Sequence, residues 1–189
     1  MSKISIKHLL EYNRQTTDEM KLKGKVKQLK MQVYKAFANG NEIIKGDINF
    51  DIVYGCNLII TFHKDGWRQV QEVLNSKADY SKSIFDKNNK SIESFSDNHN
   101  YSKHHHLYYY NEDGTMKENI GESESHFDKS KPPTISTSKS TNTYDIHGKI
   151  STVQYFNDSE LSYTNYYIRD ENGFDTENYS QDKDGKKTA

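Results

Sequence analysis

Apolar and polar residues alternate along much of the chain, which is the pattern of β-strands with one half-buried face and one wet face. Residues 22–37 place their apolar side chains mainly on one side and Lys and Gln on the other, with a slip near Gln28. This pattern predicts a long first strand. Residues 38–41 have the composition of a turn, so residues 43–50 are predicted to return as the partner strand.

Short turn-forming phrases recur along the rest of the chain, and most carry an aromatic residue four positions before a turn Gly or Asn. They occupy residues 62–66, 85–89, 110–114, 144–148, 169–173 and 181–185. Asp-Gly and Asn-Gly pairs supply the positive φ angles of tight hairpins, and an aromatic residue ahead of the turn can pack across the strands. Several of these turns are 23 to 25 residues apart, a step that suits two strands and two connections.

The predicted fold is therefore mainly β, with consecutive antiparallel hairpins stacked into an open twisted sheet or a short β-solenoid. Residues 1–20 are predicted to form a short helix or an irregular arm, and residues 21–187 a β-hairpin repeat domain. The step between the turns that end at 114 and 148 is longer and contains a Pro pair and a Ser/Thr-rich run. We expect a loop inserted there, near residues 128–143.

Composition favours thin, wet sheets over a thick core. Hydrophobic residues make up only 32% of the chain, yet it carries 14 Tyr and 8 Phe, which disordered chains lack. The formal net charge of -1 gives no electrostatic reason to expect nucleic acid or an anionic membrane as a partner. With no leader and no apolar span visible, we expect a cytoplasmic protein; an extracytoplasmic location is the alternative if a leader has been removed.

The turn phrases carry a resemblance to a known family. Residues 144–150 (Tyr-Asp-Ile-His-Gly-Lys-Ile), 85–90, 110–114 and 170–173 look like the tyrosine-aspartate (YD, or Rhs-type) repeats and related antitoxin-like hairpin repeats of bacteria. The similarity covers roughly residues 20–187, and the segment between 120 and 143 departs from the pattern. The resemblance implies a β-hairpin array used for binding or encapsulation, with no family catalytic residues to carry over.

Tyr residues are the candidate binding residues. They stand in adjacent pairs and triples, so in a strand some must point to each face of the sheet. On an outer face they would form a patch suited to protein binding or to sugar stacking; the alternative is that neighbouring elements cover both faces. The predicted binding residues are Tyr108, Tyr109, Tyr110, Tyr155, Tyr163, Tyr166 and Tyr167.

Catalytic and metal-binding patterns are weak. His104 and His106 share one strand face and would need a third ligand to hold a metal, so we interpret them as surface residues. Acidic residues cluster near 118–128 and 170–177, but spread along turns they form a solvated rim, not a catalytic pair. No phosphate loop, nucleophile elbow or Cys/His dyad is visible, so we expect no enzyme activity, no cofactor and no metal.

Two functions remain as hypotheses. The first is a bacterial immunity or antitoxin-like protein that neutralises a toxin by direct binding, through an acidic stripe that mimics nucleic acid or through the basic segment of residues 1–45. The second is an extracytoplasmic surface or carbohydrate-binding repeat protein. Both expect a protein or glycan partner and neither expects direct contact with nucleic acid or a membrane.

Overall fold

The structure is a computed structural model that describes residues 16–18, 20, 22–49, 57–74, 79–99, 101–126 and 130–188. All regular elements in these ranges are β-strands that pair antiparallel in open sheets, so the prediction of a mainly β protein built from consecutive hairpins is confirmed. The chain divides into two units, residues 1–99 and 100–189. The helix or arm predicted for residues 1–20 lies largely outside the described residues.

The first unit contains seven strands. They are β1 (Gln28–Met31), β2 (Tyr34–Asn39), β3 (Glu42–Ile48), β4 (Leu58–Phe62), β5 (Arg68–Leu74), β6 (Asp79–Phe85) and β7 (Ser91–Asn98). Five of them form one sheet in the order β1-β4-β5-β6-β7, while β2 and β3 pair as a separate hairpin. Each strand from β4 to β7 therefore lies beside its neighbours in the sequence.

The first unit holds a small hydrophobic core at β1 and β4. Met20, Ile60 and Phe62 are 6%, 6% and 4% exposed. The partly buried side chains of Leu22, Val26, Leu29 and Leu58 pack against them. The segment that precedes β1 thus supplies the second layer that a single sheet lacks, which removes these apolar side chains from water.

The predicted long first strand over residues 22–37 is wrong. Residues 22–27 form no strand, β1 is short, and the chain leaves it at Gln32 and Val33 to begin the separate β2–β3 hairpin. The Val33 amide donates to the Asn57 side chain at 2.9 Å instead of to a neighbouring strand. The apolar side chains of Leu22 and Val26, before β1, pack against the core residues of the sheet and are not part of a strand.

The second unit contains seven further strands in a single run. They are β8 (Ser102–Tyr110), β9 (Met116–Ser125), β10 (Thr134–Tyr144), β11 (Ile150–Asn157), β12 (Glu160–Arg169), β13 (Asp175–Asp182) and β14 (Lys187–Thr188). Each pairs antiparallel with the next one in the sequence. Among the described residues of this unit, the buried side chains larger than Gly are Val153 and Thr164, at 6% and 5% exposure. A sheet with so little buried area is one layer thick.

The inserted loop predicted near residues 128–143 is wrong over most of its length, because Thr134–Tyr144 forms β10. This strand lies between β9 and β11, with eight consecutive pairs to β9 from Thr134 to Thr141. Ser and Thr are typical of loops, but they also suit a strand that is wet on both faces, where hydroxyls bond to water and to neighbouring side chains. The composition could not separate the two cases.

The six repeated turns, of residues 63–66, 86–89, 111–114, 145–148, 170–173 and 182–185, share one geometry. In each, the backbone amide of the fourth residue donates to the carbonyl of the first residue at 2.9–3.1 Å. The amide of the first residue donates to the carbonyl of the fifth residue, which directly follows the turn, at 2.8–3.0 Å. The fourth residue has positive φ, which Gly adopts without strain. At the turn of residues 86–89 this residue is Asn89, with φ 60°. Glycine and Asn at these positions were therefore read correctly as turn signals.

At three of the repeated turns, the residue just before the turn contacts the preceding hairpin. The Tyr144 hydroxyl donates to the Met116 carbonyl at 2.6 Å, and Arg169 donates to the Ile150 carbonyl at 2.7 Å. The ring of Phe85 lies under the Arg68 guanidinium, 3.8 Å from the ring centroid. These contacts link three of the hairpins to the one before them within the same unit.

Candidate functional site

The strand register of the second unit assigns each side chain to one of two faces, because directly paired residues of an antiparallel sheet project to the same side. Tyr108 pairs with Asn119, Asn119 with Ser140, Ser140 with Tyr155, and Tyr155 with Tyr163. This row crosses β8 to β12, a span of about 19 Å at the usual spacing between strands. Three of the predicted binding residues therefore lie in one line on one face.

This face has an unusual composition, and we call it the neutral face. It is formed by Ser102, His104, His106, Tyr108, Asn119, Gly121, Ser123, Ser125, Thr134, Ser136, Ser138, Ser140, Asn142, Val153, Tyr155, Asn157, Tyr163, Asn165 and Tyr167. None of these residues is Asp, Glu, Lys or Arg, although such residues make up 28% of the chain. Glu160 pairs with Asn157 and Asp182 with Tyr163, so these two charged residues project to the same side and lie at the margin of the face.

One end of the neutral face, on β11 and β12, carries a stacked pair of Tyr rings. The centroids of Tyr155 and Tyr163 are 4.5 Å apart and their planes differ by 21°. Tyr163 is 38% exposed. Burial raises the pKa of the Tyr155 hydroxyl, and the nearby Tyr163 and Tyr167 raise it further, so the group remains a neutral hydrogen-bond donor well above physiological pH. Because side chains stand roughly perpendicular to a sheet, the pair presents ring edges and hydroxyls outward.

The remaining predicted binding residues do not join this pair. Tyr167 is on the neutral face but pairs with Asn178, two rows further along β12. Tyr109 and Tyr166 pair with Glu118 and Thr152, which places both on the opposite face. Tyr110 pairs with Met116 beside a break in register, next to the first turn of the unit. The seven Tyr residues thus form no single patch.

The opposite face carries charge and a second aromatic pair. Tyr166 stacks on Tyr179 with centroids 4.8 Å apart, and Lys187 lies 3.7 Å from the Tyr179 ring centroid. Tyr179 was not among the predicted residues, because only the register of β12 against β13 brings it beside Tyr166. A cation over the outer ring leaves this pair less open to a partner than the Tyr155–Tyr163 pair.

Glu118 and Glu124, two of the acidic side chains on the opposite face, are paired with basic ones. Lys139 forms an ion pair with Glu118, and Lys103 lies 3.4 Å from Glu124. Glu124 also accepts a hydrogen bond from His126 at 2.6 Å; that bond lowers the pKa of the carboxyl, and Lys103 lowers it further against the opposing effect of burial. These pairs interrupt the acidic stripe that a mimic of nucleic acid would need.

His104 and His106 lie on the neutral face and are engaged by neighbouring polar groups. The ring nitrogens of His104 are 2.8 Å from the Ser123 hydroxyl and 3.0 Å from the Ser102 hydroxyl. His106 Nδ1 is 3.3 Å from Asn119 Oδ1, and its ring covers Gly121. Within the ranges that the structure describes, no group of three His, Cys, Asp or Glu residues has a geometry suited to a metal ion.

No protein-family profile matches the sequence, and no curated protein matches it. Among the described residues, no helix has the length and apolar character needed to cross a membrane.

Proposed function

We propose that the protein is a non-enzymatic binding protein that contacts a protein partner through the neutral face of its second unit. The observation that carries this proposal is the absence of charged side chains from the interior of that face in a chain that is 28% charged. Charged groups are costly to desolvate, and the centres of protein interfaces are depleted in them. A face whose interior carries no charged residue, with Glu160 and Asp182 at its margin, is suited to being covered.

The side chains of the neutral face have the chemistry of a recognition surface. Tyr gives large contact area at a small loss of conformational entropy, while Ser and Asn give adaptable hydrogen bonds, as in antibody combining sites. Tyr155, Tyr163 and Tyr108 supply the aromatic part, and Asn119 and Ser140 lie between them in the same row. The upright Tyr155–Tyr163 stack offers ring edges and hydroxyls, which favours a protein surface over a sugar ring that needs an open aromatic face.

The resemblance to tyrosine-aspartate repeat proteins suggests which partner to test first. Proteins of that kind occur in bacterial toxin systems, so we propose a cognate toxin, neutralised by direct binding as in immunity proteins. The neutral face also changes the expected mode of contact. Association through an uncharged face depends on shape, hydrogen bonds and aromatic contacts, so salt should affect its rate only weakly.

The test is affinity purification of the full chain from its native host, with a double variant on each face. Tyr155→Ser with Tyr163→Ser alters the neutral face, and Tyr109→Ser with Tyr166→Ser is the matched control on the opposite face. We expect a partner protein to co-purify in stoichiometric amount with the control variant and to be lost with the neutral-face variant. Loss of the two stacked aromatic rings should weaken binding by about 30-fold or more. Equal retention by both variants would contradict the proposal. Binding of a polysaccharide instead of a protein on a glycan array would support the carbohydrate-binding alternative.

A further inference from the structure

The six repeated turns provide an internal comparison, because they share one backbone geometry and differ in side chains. Their second positions are Lys64, Lys87, Glu112, Ile146, Glu171 and Lys183. Their fifth positions are Trp67, Lys90, Thr115, Lys149, Phe174 and Lys186. At the second position Ile146 is apolar, whereas the other five turns have a charged residue. At the fifth position Trp67 and Phe174 are aromatic, whereas the other four turns have Lys or Thr.

The side chains of Ile146 and Phe174 are largely exposed to solvent. Ile146 is 94% exposed and Phe174 is 71% exposed. By contrast, Trp67, at the same turn position as Phe174, stacks on His63 with centroids 4.7 Å apart. A charged or polar residue fits these turn positions elsewhere in the chain, so neither the turn geometry nor the core requires an apolar side chain at Ile146 or Phe174.

The turns that carry these two residues are held together. They join β10 to β11 and β12 to β13, so both lie at the same end of the sheet, about two strand spacings or ~10 Å apart. Lys149 donates to the Gly173 carbonyl at 2.7 Å, and the His147 ring lies against Gly173, which is buried. Arg169 donates to Asp145 at 2.9 Å and lies 2.7 Å from Asp175 as a second ion pair. These contacts hold the backbones of the two turns that carry Ile146 and Phe174 in place.

Charge around the two turns is unbalanced. Arg169 offsets Asp145 and Asp175 only in part, and Lys149 adds one positive charge to the same cluster. Asp170 and Glu171, on the turn that precedes Phe174, leave an excess of negative charge beside the apolar residues. Asp170 is fixed there, because it accepts the amides of Asn172 and Phe174 at 2.9 Å.

We infer that Ile146 and Phe174 are paired anchors that insert into an apolar pocket with a basic rim on a partner protein. Fixed, protruding apolar residues lose little entropy on binding, and anchors of this type dominate the energetics of protein interfaces. Asp170 and Glu171 would face Lys or Arg side chains at the rim and orient the contact. The inference extends the proposed protein-binding function to a second surface of the same unit, and it does not depend on the neutral face.

The experiment uses a library of random twelve-residue peptides displayed on phage and selected against the intact protein. We expect enriched peptides that combine large apolar residues with Lys or Arg. Ile146→Ser with Phe174→Ser should weaken the synthetic peptides at least tenfold, and Glu171→Lys should weaken them severalfold at low salt. Tyr155→Ser with Tyr163→Ser should leave their affinity unchanged. Since both altered turn residues are exposed, circular dichroism should show intact folding.

Two results would overturn the inference. One is a selection that yields no enriched sequence, and the other is a set of peptides whose affinity survives the Ile146→Ser and Phe174→Ser changes. Peptides lost with the Tyr155 and Tyr163 changes instead would assign recognition to the neutral face. That result would refute the inference and leave the proposed function intact. Conversely, peptides lost with the Ile146 and Phe174 changes would support the turn anchors even if the native partner did not require the neutral face.

Discussion

Replacing Gly121 with alanine should destabilise the second unit, because the neutral face closes over this residue. An added Cβ would lie 2.7 Å from His106 Cε1, 2.7 Å from the Ser138 hydroxyl and 2.8 Å from His106 Nδ1. Carbon atoms in contact prefer about 3.5–4.0 Å, so the imidazole or the strands must move by nearly 1 Å. Overpacking of this kind costs about 1–3 kcal/mol.

A favourable contribution opposes this cost. Replacing Gly with Ala removes about 0.4–1 kcal/mol of chain entropy from the unfolded state. Gly121 is not among the positive-φ glycines of the chain, so alanine suffers no backbone strain there. The expected net loss is therefore about 0.5–2 kcal/mol, which corresponds to amide exchange about 2 to 30 times faster in the affected strands.

The assay is native-state hydrogen exchange of peptides from β8, β9 and β10, with fluorescence of the single Trp, Trp67, as a separate reporter on the first unit. Glu122→Ala is the matched control, because it alters the neighbouring exposed residue on the opposite face. Adding His106→Ala to Gly121→Ala should recover about 1 kcal/mol relative to additive single changes, since it removes two of the three close contacts. Unchanged or slower exchange in Gly121→Ala, or strict additivity in the double variant, would refute the packing argument.

Three further predictions test other contacts. Phe62→Ala should lower the stability of the first unit by about 3–5 kcal/mol in urea unfolding followed by Trp67 fluorescence, because Phe62 is 4% exposed in the core. Phe37→Ala, which alters a 57% exposed ring of the same unit, is the control and should change stability little. Burial of Asp145 raises its pKa, but the Lys149 amide, the Arg169 guanidinium and the His147 amide together lower it by more, so the folded pKa lies below the unfolded one. The stability that Asp145 contributes is therefore present above the unfolded pKa and is lost as pH falls through the folded pKa. Asp145→Asn should therefore flatten the fall in stability on acidification, as measured by urea unfolding at several pH values; an unchanged profile would count against the Arg169 pair. Burial and then the hydrogen bond to Glu72 raise the pKa of Tyr80 to about 12. Glu72→Gln should therefore lower the pKa of Tyr80, as measured by ¹³C NMR titration of labelled Tyr. An unchanged pKa would exclude Glu72 as a cause.

The hairpin turns could be predicted from the sequence because their signal is local. A Gly, or Asn89, with positive φ four residues after the end of a strand defines the turn regardless of its neighbours. The prediction failed where a decision depended on tertiary context. Residues 134–143 form β10 because β9 and β11 lie on either side, and residues 22–27 leave the sheet because they cover β1 and β4.

The candidate site could be predicted only in part. Tyr108, Tyr155 and Tyr163 were expected to matter as aromatic residues on strands, and adjacent Tyr residues were expected to point to opposite faces. Which of them meet depends on the register, and a bulge beside Tyr155 and another beside Tyr109 shift it. The absence of charge from the neutral face also emerges only when five strands are aligned, since along the chain its residues alternate with Lys and Glu.

The strand order of the second unit has a consequence for how the protein is made. Because β8 to β14 pair strictly with their neighbours in the sequence, every pairing partner is already synthesised when the next strand leaves the ribosome. Each new hairpin can add to the edge of the previous one without waiting for a distant segment, and the short loops involved close quickly. Translation can therefore build this sheet strand by strand, with each growing edge left open only until the next hairpin is complete.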